Sequence, residues 1–351
     1  MTKRQDLTPA SPLAGDLRPE EIDALADDGD PRGAFLRHRW FAAGKNPAER
    51  IIGLRREDGT PAAAIPLSAQ KYGPLRINAV SGGYWPFRGF PVRSGADRAE
   101  LAEMLCDPES RRALGGVWRV GPVFAGDATA ERIVPAARDA GWQVLTRSLG
   151  TIFELDLAAL RAGGDWPSAK TQRKNRWRKR RLAEDGEVVC RYFTGADWTK
   201  ADRDAMAEIE ANSWLAKLDD GGDTKFRDPA ERRFWEDAAQ DPALATMIFG
   251  SLMSIGETPA AFTFGIEAGD TRYYIANNYD ERFTKFGPGR VLLYDDFERA
   301  AEAGITRISW GVGDAGYKSE MGAEPGPVLL DLLFVRGGWL AALLEPIWAR
   351  R

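Results

Sequence analysis

The chain has 351 residues, of which 44% are hydrophobic, so it can bury two sizeable cores. Its formal charge of −4 gives no bulk attraction to a polyanion. Two cysteines in unrelated contexts, Cys106 and Cys190, argue against a disulfide scaffold or a zinc site, and a single histidine, His38, removes most histidine-based chemistry.

The N-terminus, Met1 to Glu21, is polar and lacks an apolar run that could serve as a signal peptide. Residues 1–30 read as a loose tail, with Pro19-Glu-Glu-Ile as a helix start. Arg32 to Ala43 reads as a helix, which makes His38 a partly exposed helix residue. Ile51 to Arg56, Asp58-Gly59 and Ala62 to Leu67 form the strongest hairpin signal. A strand at Arg76 to Val80, a helix at Asp97 to Leu105 and a strand at Val117 to Val123 follow. Ala128 to Ala140 is a helix closed by Gly141, and Trp142 to Leu155 is one long strand or two.

Lys170 to Arg181 then places eight Lys or Arg in twelve residues. After it a similar order recurs. Glu187 to Phe193 is a strand, and Trp198 to Ala216 and Pro229 to Ala239 are helices. Ala245 to Ser254, Ala260 to Glu267 and Thr271 to Tyr279 form an antiparallel meander, and Val328 to Val335 is a last strand. The C-terminal segment from Gly337 carries Trp339, Leu340, Leu343 and Leu344 at helical spacing. It reads as a helix on the second domain, or as an interfacial segment reaching a lipid acceptor. No stretch has the length of a membrane-spanning helix, and a cytoplasmic location is expected, with peripheral association with the inner membrane left as an alternative. Strands followed by helices, twice, predict an α+β fold of two similar domains. The boundaries are a tail over 1–30, a first domain over 31–160, a basic linker helix over 161–186 and a second domain over 187–351.

The chemistry gathers between Tyr273 and Lys318. Gly287-Pro-Gly289 opens a helix whose first turn has no obvious side-chain cap. Free N–H groups and the positive end of the helix dipole attract a phosphate there. A tyrosine after the next strand, Tyr317, would sit at the same edge of the sheet. A phosphate cradle beside a proton donor suits transfer from a phosphorylated carrier such as coenzyme A. Gly-Pro-Gly on its own is more often a plain turn. The first half carries Ser81-Gly-Gly83, but an aromatic turn follows it and not a helix, so that half reads as structural.

These phrases resemble a known family. Pro288-Gly289 with Leu292-Leu293, then Gly311-Val-Gly-Asp314 and Tyr317-Lys318, are similar to the GNAT superfamily of acyl-CoA N-acyltransferases, in its tandem CelD-type and FemAB-like branch. The basic run, Lys170 to Leu182 with Glu184-Asp-Gly186, and Asn212-Ser-Trp-Leu-Ala-Lys217 match further elements of that branch. The likeness spans roughly Phe35 to Val335. One departure is Thr284, where the family's loop carries Gln or Arg; Lys285 and Arg290 stand in for that charge. The resemblance implies two tandem GNAT-like domains, each a mixed, mostly antiparallel sheet flanked by helices, with the donor site in the second.

It also implies roles. Acyl-CoA is a co-substrate, no cofactor is bound permanently, and no metal is involved. Asn278, Lys285, Gly287, Gly289, Arg290 and Val291 would hold the carrier. Tyr317, protonated at neutral pH, would protonate the leaving thiolate. An ammonium cannot attack, so a base is needed. Asp314 and Asp280 are the candidates, Glu210 is a more distant one, and a cap of its own turn is an equal reading of Asp314. Trp214 and Lys217, three apart on an expected helix, and Lys318 would line the acceptor cleft. The acceptor is an amine of envelope lipid or polysaccharide metabolism, such as a sphingoid base. Alternatives are FemAB-like transfer from aminoacyl-tRNA and a non-catalytic module binding an anionic ligand. Residues 170–181 are a solvated helix face, or they meet coenzyme A phosphates or, with the C-terminal segment, an anionic membrane. Only Trp166 and Trp177 interleave with the charges, which disfavours a nucleic-acid platform.

Overall fold

The computed structural model describes residues 14–72, 75–82, 87–164, 166–218, 223–314 and 316–349. Strands are β1 (Ala14–Asp16), β2 (Arg50–Arg55), β3 (Pro61–Tyr72), β4 (Leu75–Val80), β5 (Val117–Phe124), β6 (Trp142–Asp156), β7 (Val188–Thr194), β8 (Ile248–Ile255), β9 (Thr258–Ala268), β10 (Thr271–Tyr279), β11 (Arg307–Val312) and β12 (Glu324–Arg336). Helices are α1 (Pro19–Asp28), α2 (His38–Ala42), α3 (Arg98–Cys106), α4 (Pro108–Leu114), α5 (Val134–Asp139), α6 (Leu157–Ala162), α7 (Ala169–Leu182), α8 (Lys200–Ala211), α9 (Pro229–Ala238), α10 (Pro242–Met247), α11 (Pro288–Glu302), α12 (Tyr317–Glu320) and α13 (Gly338–Ala349).

The chain divides into two compact units. The first joins residues up to Asp30 with Ala48–Leu149 and the segment from Leu330 onward; the second joins Pro31–Pro47 with Gly150–Leu329. These boundaries differ from the sequence expectation at both ends. Residues 19–28 are not a tail but α1, with Ile22 and Leu25 fully buried. The amphipathic spacing was present, but a polar leader masked it. The expected helix at 32–43 shrinks to α2 after a 3₁₀ turn. Its Trp40 packs edge-on against Phe234 and Trp235 of α9, so it belongs to the second unit. The C-terminal helix α13 lies in the first unit and not in the second. There Ala341 and Trp348 close a small core with Leu333, Val335 and the flank of Val117. The Ser81-Gly-Gly83 turn runs into residues outside those described.

Each unit holds a mixed, mostly antiparallel sheet. In the first, strand order is β1-β2-β3-β4-β5-β12, with antiparallel pairs up to β4 and a short parallel pair of β4 with β5, Asn78↔Trp118 and Ala79↔Arg119. In the second, order is β6-β11-β10-β9-β8-β7, again antiparallel except for β10 with β11. α11 covers one face of β8, β9 and β10, and α8 packs on β9. α11 sits there because Leu293, Phe297 and Ala300 share one stripe over Tyr274, Ile308 and Trp310, while Val291 and Leu292 enter a second cluster with Met253 and Ala261.

Candidate donor site in the second unit

The site is built where β10 ends. Asp280 caps a 3₁₀ turn, Glu281–Phe286, by accepting from the Arg282 N–H at 2.8 Å. The turn stops at Gly287, whose φ of 57° lies in the left-handed region that glycine adopts without a Cβ clash. α11 then begins with no side-chain cap and no acid in its first turn. Pro288 has no N–H, and the Val291 N–H is spent on the Gly287 carbonyl at 3.2 Å. The N–H groups of Gly289 and Arg290 remain at the open end of a 15-residue helix, where the dipole is positive.

The strands on either side separate here. β10 and β11 are paired in parallel only over Thr271–Tyr273 and Arg307–Ser309. Beyond that point a cavity of about 240 Å³ is lined by Asn277, Asn278 and Tyr279 of β10, Gly287, Gly289, Arg290 and Leu293 of α11 and its start, Tyr317, Met321, and Arg178 of α7. The Arg178 guanidinium lies against Gly287: a Cβ on that glycine would stand 3.6 Å from its Nε. Arg178 donates to Asn175 Oδ1 at 3.1 Å. Burial lowers its pKa, and the like charge of Arg290 lowers it further. Arg290 meets Glu320 at 2.8 Å on the exposed side. Two guanidiniums held together without a buried carboxylate, beside free helix N–H groups, make a seat for an anion.

Tyr317 faces the same cavity. Its hydroxyl accepts from Asn277 Nδ2 at 3.3 Å, which leaves its own proton to donate. Burial raises its pKa, the Asn277 hydrogen bond opposes this, and nearby Asp314 adds to the rise. The phenol therefore keeps its proton at neutral pH.

The structure thus brings together Asn278, Gly287, Gly289, Arg290 and Tyr317, and places the other expected residues elsewhere. Asp314 is exposed and caps the Tyr317 turn, accepting from the Gly316 N–H at 2.8 Å and from the Ser319 hydroxyl. The Ser319 bond holds its carboxyl below the usual range, which weakens it as a base. Asp280 is buried and forks with Arg282, with Nε and Nη2 contacts of 2.9 and 2.5 Å to Oδ2. Val291 is a core residue. Lys285 lies over the Phe286 ring, 5.4 Å from its centroid, outside the cavity. Trp214 and Lys217 fall in a 3₁₀ turn and not on α8, because Ser213 starts a new cap; Trp214 is exposed and Lys217 pairs with Glu281 at 2.6 Å. Lys318 turns inward, its ammonium reaching the carbonyls of Trp310, Gly311, Val312 and Gly313 at 3.0, 3.4, 3.3 and 2.5 Å. It ties down the end of β11 and offers nothing to an acceptor. Glu210 is buried and accepts from the N–H groups of Lys225, Phe226 and Arg227, a structural task.

Sequence reasoning missed Arg178, Asn277, Tyr279, Leu293 and Met321. Arg178 was within the basic run. Its helical phase, on the side of the buried Asn175 and Leu182, was the available signal.

Residues 169–319 match a family model described as an acetyltransferase (GNAT) domain. Over these residues the chain is similar to a GNAT domain. Solved structures with a similar fold cover both units. FemX is 14% identical, with a TM-score of 0.63 over 95% of this chain and 99% of that one. L-PGS from Bacillus licheniformis is 14% identical, with a TM-score of 0.53 over 95% and 96%. A conserved protein from Bacteroides thetaiotaomicron is 14% identical, with a TM-score of 0.55 over 93% and 100%. No curated protein matches the sequence. No helix among the described residues is long and apolar enough to cross a membrane.

Proposed function

We propose that the cavity at the start of α11 binds the diphosphate of an acyl-coenzyme A and that the enzyme moves its acyl group to an amine. One observation carries this reading. An uncapped helix start, two guanidiniums and a protonated tyrosine share a single cavity of about 240 Å³. The Gly289 and Arg290 N–H groups with Arg178 and Arg290 would take the diphosphate. The thioester then lies along β10, where backbone N–H groups near Asn278 stabilise the developing oxyanion. The amine attacks the carbonyl carbon, the C–S bond breaks, and Tyr317 gives its proton to the departing thiolate. Among the described residues no carboxylate lines the cavity, and the ammonium loses its proton to water and not to Asp314 or Asp280.

The acceptor class is an amine of envelope lipid or polysaccharide metabolism, with a sphingoid base as the first compound to assay. The basic surface of α7 favours a second reading, in which the donor is an aminoacyl-tRNA; binding of tRNA without acyl-CoA would select it. Contact with an anionic membrane through 170–181 is a further proposal of the same surface.

Tyr317→Phe removes only the hydroxyl. It should lower kcat about a hundredfold with acyl-CoA affinity unchanged. The raised pKa places the alkaline limb of kcat above the ordinary tyrosine value of about 10 in the wild type, because the protonated form is the active one and is lost as pH rises. An unchanged kcat in the variant would make Tyr317 a packing residue.

A further inference from the structure

The C-terminal helix α13 is apolar on two sides. Its inner side packs Ala341 and Trp348 into the small core of the first unit. Its outer side carries Trp339, Leu343 and Ile347 at a spacing of four, so they share one stripe. They are 77%, 60% and 55% exposed, and Pro346 beside them is exposed as well. Glu345 is the one charged residue of the helix, and the 3.6-residue turn sets it off this stripe. A helix on a protein surface ordinarily turns charge toward water. Here water meets tryptophan, leucine and isoleucine, a patch of the kind that marks an interaction surface.

Cations border the stripe. A groove of about 260 Å³ runs beside it, lined by Leu340 and Leu344 of α13, by Gly116 and Val117, and by Arg76 of β4. Arg76 is exposed, and its cross-strand partner in β3 is Lys71, also exposed. Like charges set directly opposite each other destabilise a hairpin. Arg336, exposed in turn, precedes α13, and its N–H donates to the Gly116 carbonyl in the groove wall at 2.8 Å. Among the described residues no ion pair engages Lys71, Arg76 or Arg336.

We infer that this face docks on the surface of an anionic phospholipid bilayer. Trp339, Leu343 and Ile347 enter the boundary between headgroups and acyl chains, with α13 lying along it. Lys71, Arg76 and Arg336 meet lipid phosphates, which offsets the repulsion at the end of the hairpin. Charge selects this occupant over a second copy of the chain. A two-fold contact would gather the same three cations of both copies around one seam, with Glu345 turned away from it. Every residue of the face belongs to the first unit, so the inference does not depend on the donor site.

The test is co-sedimentation of the full chain with vesicles of phosphatidylcholine, with and without phosphatidylglycerol. The wild type should bind the anionic vesicles, and salt should weaken that binding. Leu343→Ser with Ile347→Ser should weaken it about tenfold or more, the loss of two apolar side chains from the lipid. Arg76→Gln with Arg336→Gln should weaken it about tenfold on anionic vesicles and change nothing on phosphatidylcholine. All four side chains are exposed or face the groove rim, so the thermal midpoint and coenzyme A affinity should stay at wild-type values. Wild-type vesicle binding in both double variants overturns the inference, and so does a wild type that binds no vesicle. If Arg173→Gln with Lys174→Gln abolishes binding and the α13 variants do not weaken it, the membrane face is α7 and the inference falls. It falls also if analytical ultracentrifugation shows a dimer that Leu343→Ser with Ile347→Ser splits while no vesicle is bound, because α13 is then an interface between copies.

Discussion

The two units each send a helix from the strand that pairs in parallel with its neighbour, β4 into α3 and β10 into α11, yet the two helix starts are opposites. α3 opens on Asp97, whose carboxylate accepts the Glu100 N–H at 2.8 Å while Glu100 accepts the Asp97 N–H at 3.3 Å. This reciprocal cap satisfies the free donors and places negative charge on the positive end of the dipole. α11 opens on a left-handed glycine, then proline, then glycine, with Arg290 where α3 has Glu100. The same architecture therefore gives a closed end in one unit and an anion seat in the other. What distinguishes them is three or four residues at one turn.

The arginines repeat the lesson. In the first unit Arg119 and Arg147 both grip Asp331, which is fully buried, through contacts of 2.5 to 2.9 Å, and the Arg147 guanidinium lies over Trp348. In the second unit Arg178 and Arg290 have no buried carboxylate between them. The first pair is a structural core feature; the second, with Arg290 on exposed Glu320, is the pair to which the proposed function assigns an anion. Asp331→Ala should thus have the largest effect on folding, about 3 to 5 kcal/mol, because it leaves two poorly solvated guanidiniums without their counter-charge. Urea unfolding measures it. Carrier affinity of the protein that remains folded should be unchanged; an equal loss of affinity would mean that the pair also serves the donor site.

Arg290→Glu comes next. It gives α11 the acid that α3 has at the same helical position, removes one guanidinium from the cavity and sets a carboxylate where the diphosphate would arrive. Acyl-CoA affinity should fall a hundredfold or more, about 3 kcal/mol, with little change in thermal midpoint. An affinity within threefold of wild type would remove the α11 start from the site.

Much of this was readable beforehand because glycine and proline act locally. Gly287-Pro-Gly289 announces a helix start without a cap, and Tyr317 after the next strand follows from order alone. Both lie in the cavity. The strands and the repeated α+β plan were readable from period and turn chemistry. Side-chain direction was not. Asp314, Asp280 and Lys318 sit within a few residues of the site, but each turns to its own backbone or to a neighbouring arginine, and nothing in the order of residues fixes that. Arg178 reaches the cavity from 99 residues before Asn277 in the chain, a separation that only tertiary packing closes. The boundaries failed for a related reason: Trp40 and Trp348 find their cores far from their positions in sequence.

The smallest effect belongs to the closed helix start. Asp97→Ala removes the acceptor for the Glu100 N–H and leaves one donor of the first turn of α3 to water. N-cap losses of this kind cost about 1 kcal/mol. The site is exposed, so water replaces part of the bond and the cost should not exceed that figure. The thermal midpoint should drop by a few degrees at most, and acyl-CoA affinity and kcat should stay at wild-type values, because no residue of this turn lines the donor cavity. Baring α3 in this way also tests whether an open helix end is enough to bind a carrier. Its nearby guanidiniums, Arg56 and Arg98, are already paired with Glu100 and Asp139, and it lacks the left-handed glycine and the tyrosine. A second coenzyme A site appearing in Asp97→Ala by calorimetry would show that the N–H groups and dipole alone suffice, and the arginines of the second unit would then lose their assigned part in the affinity.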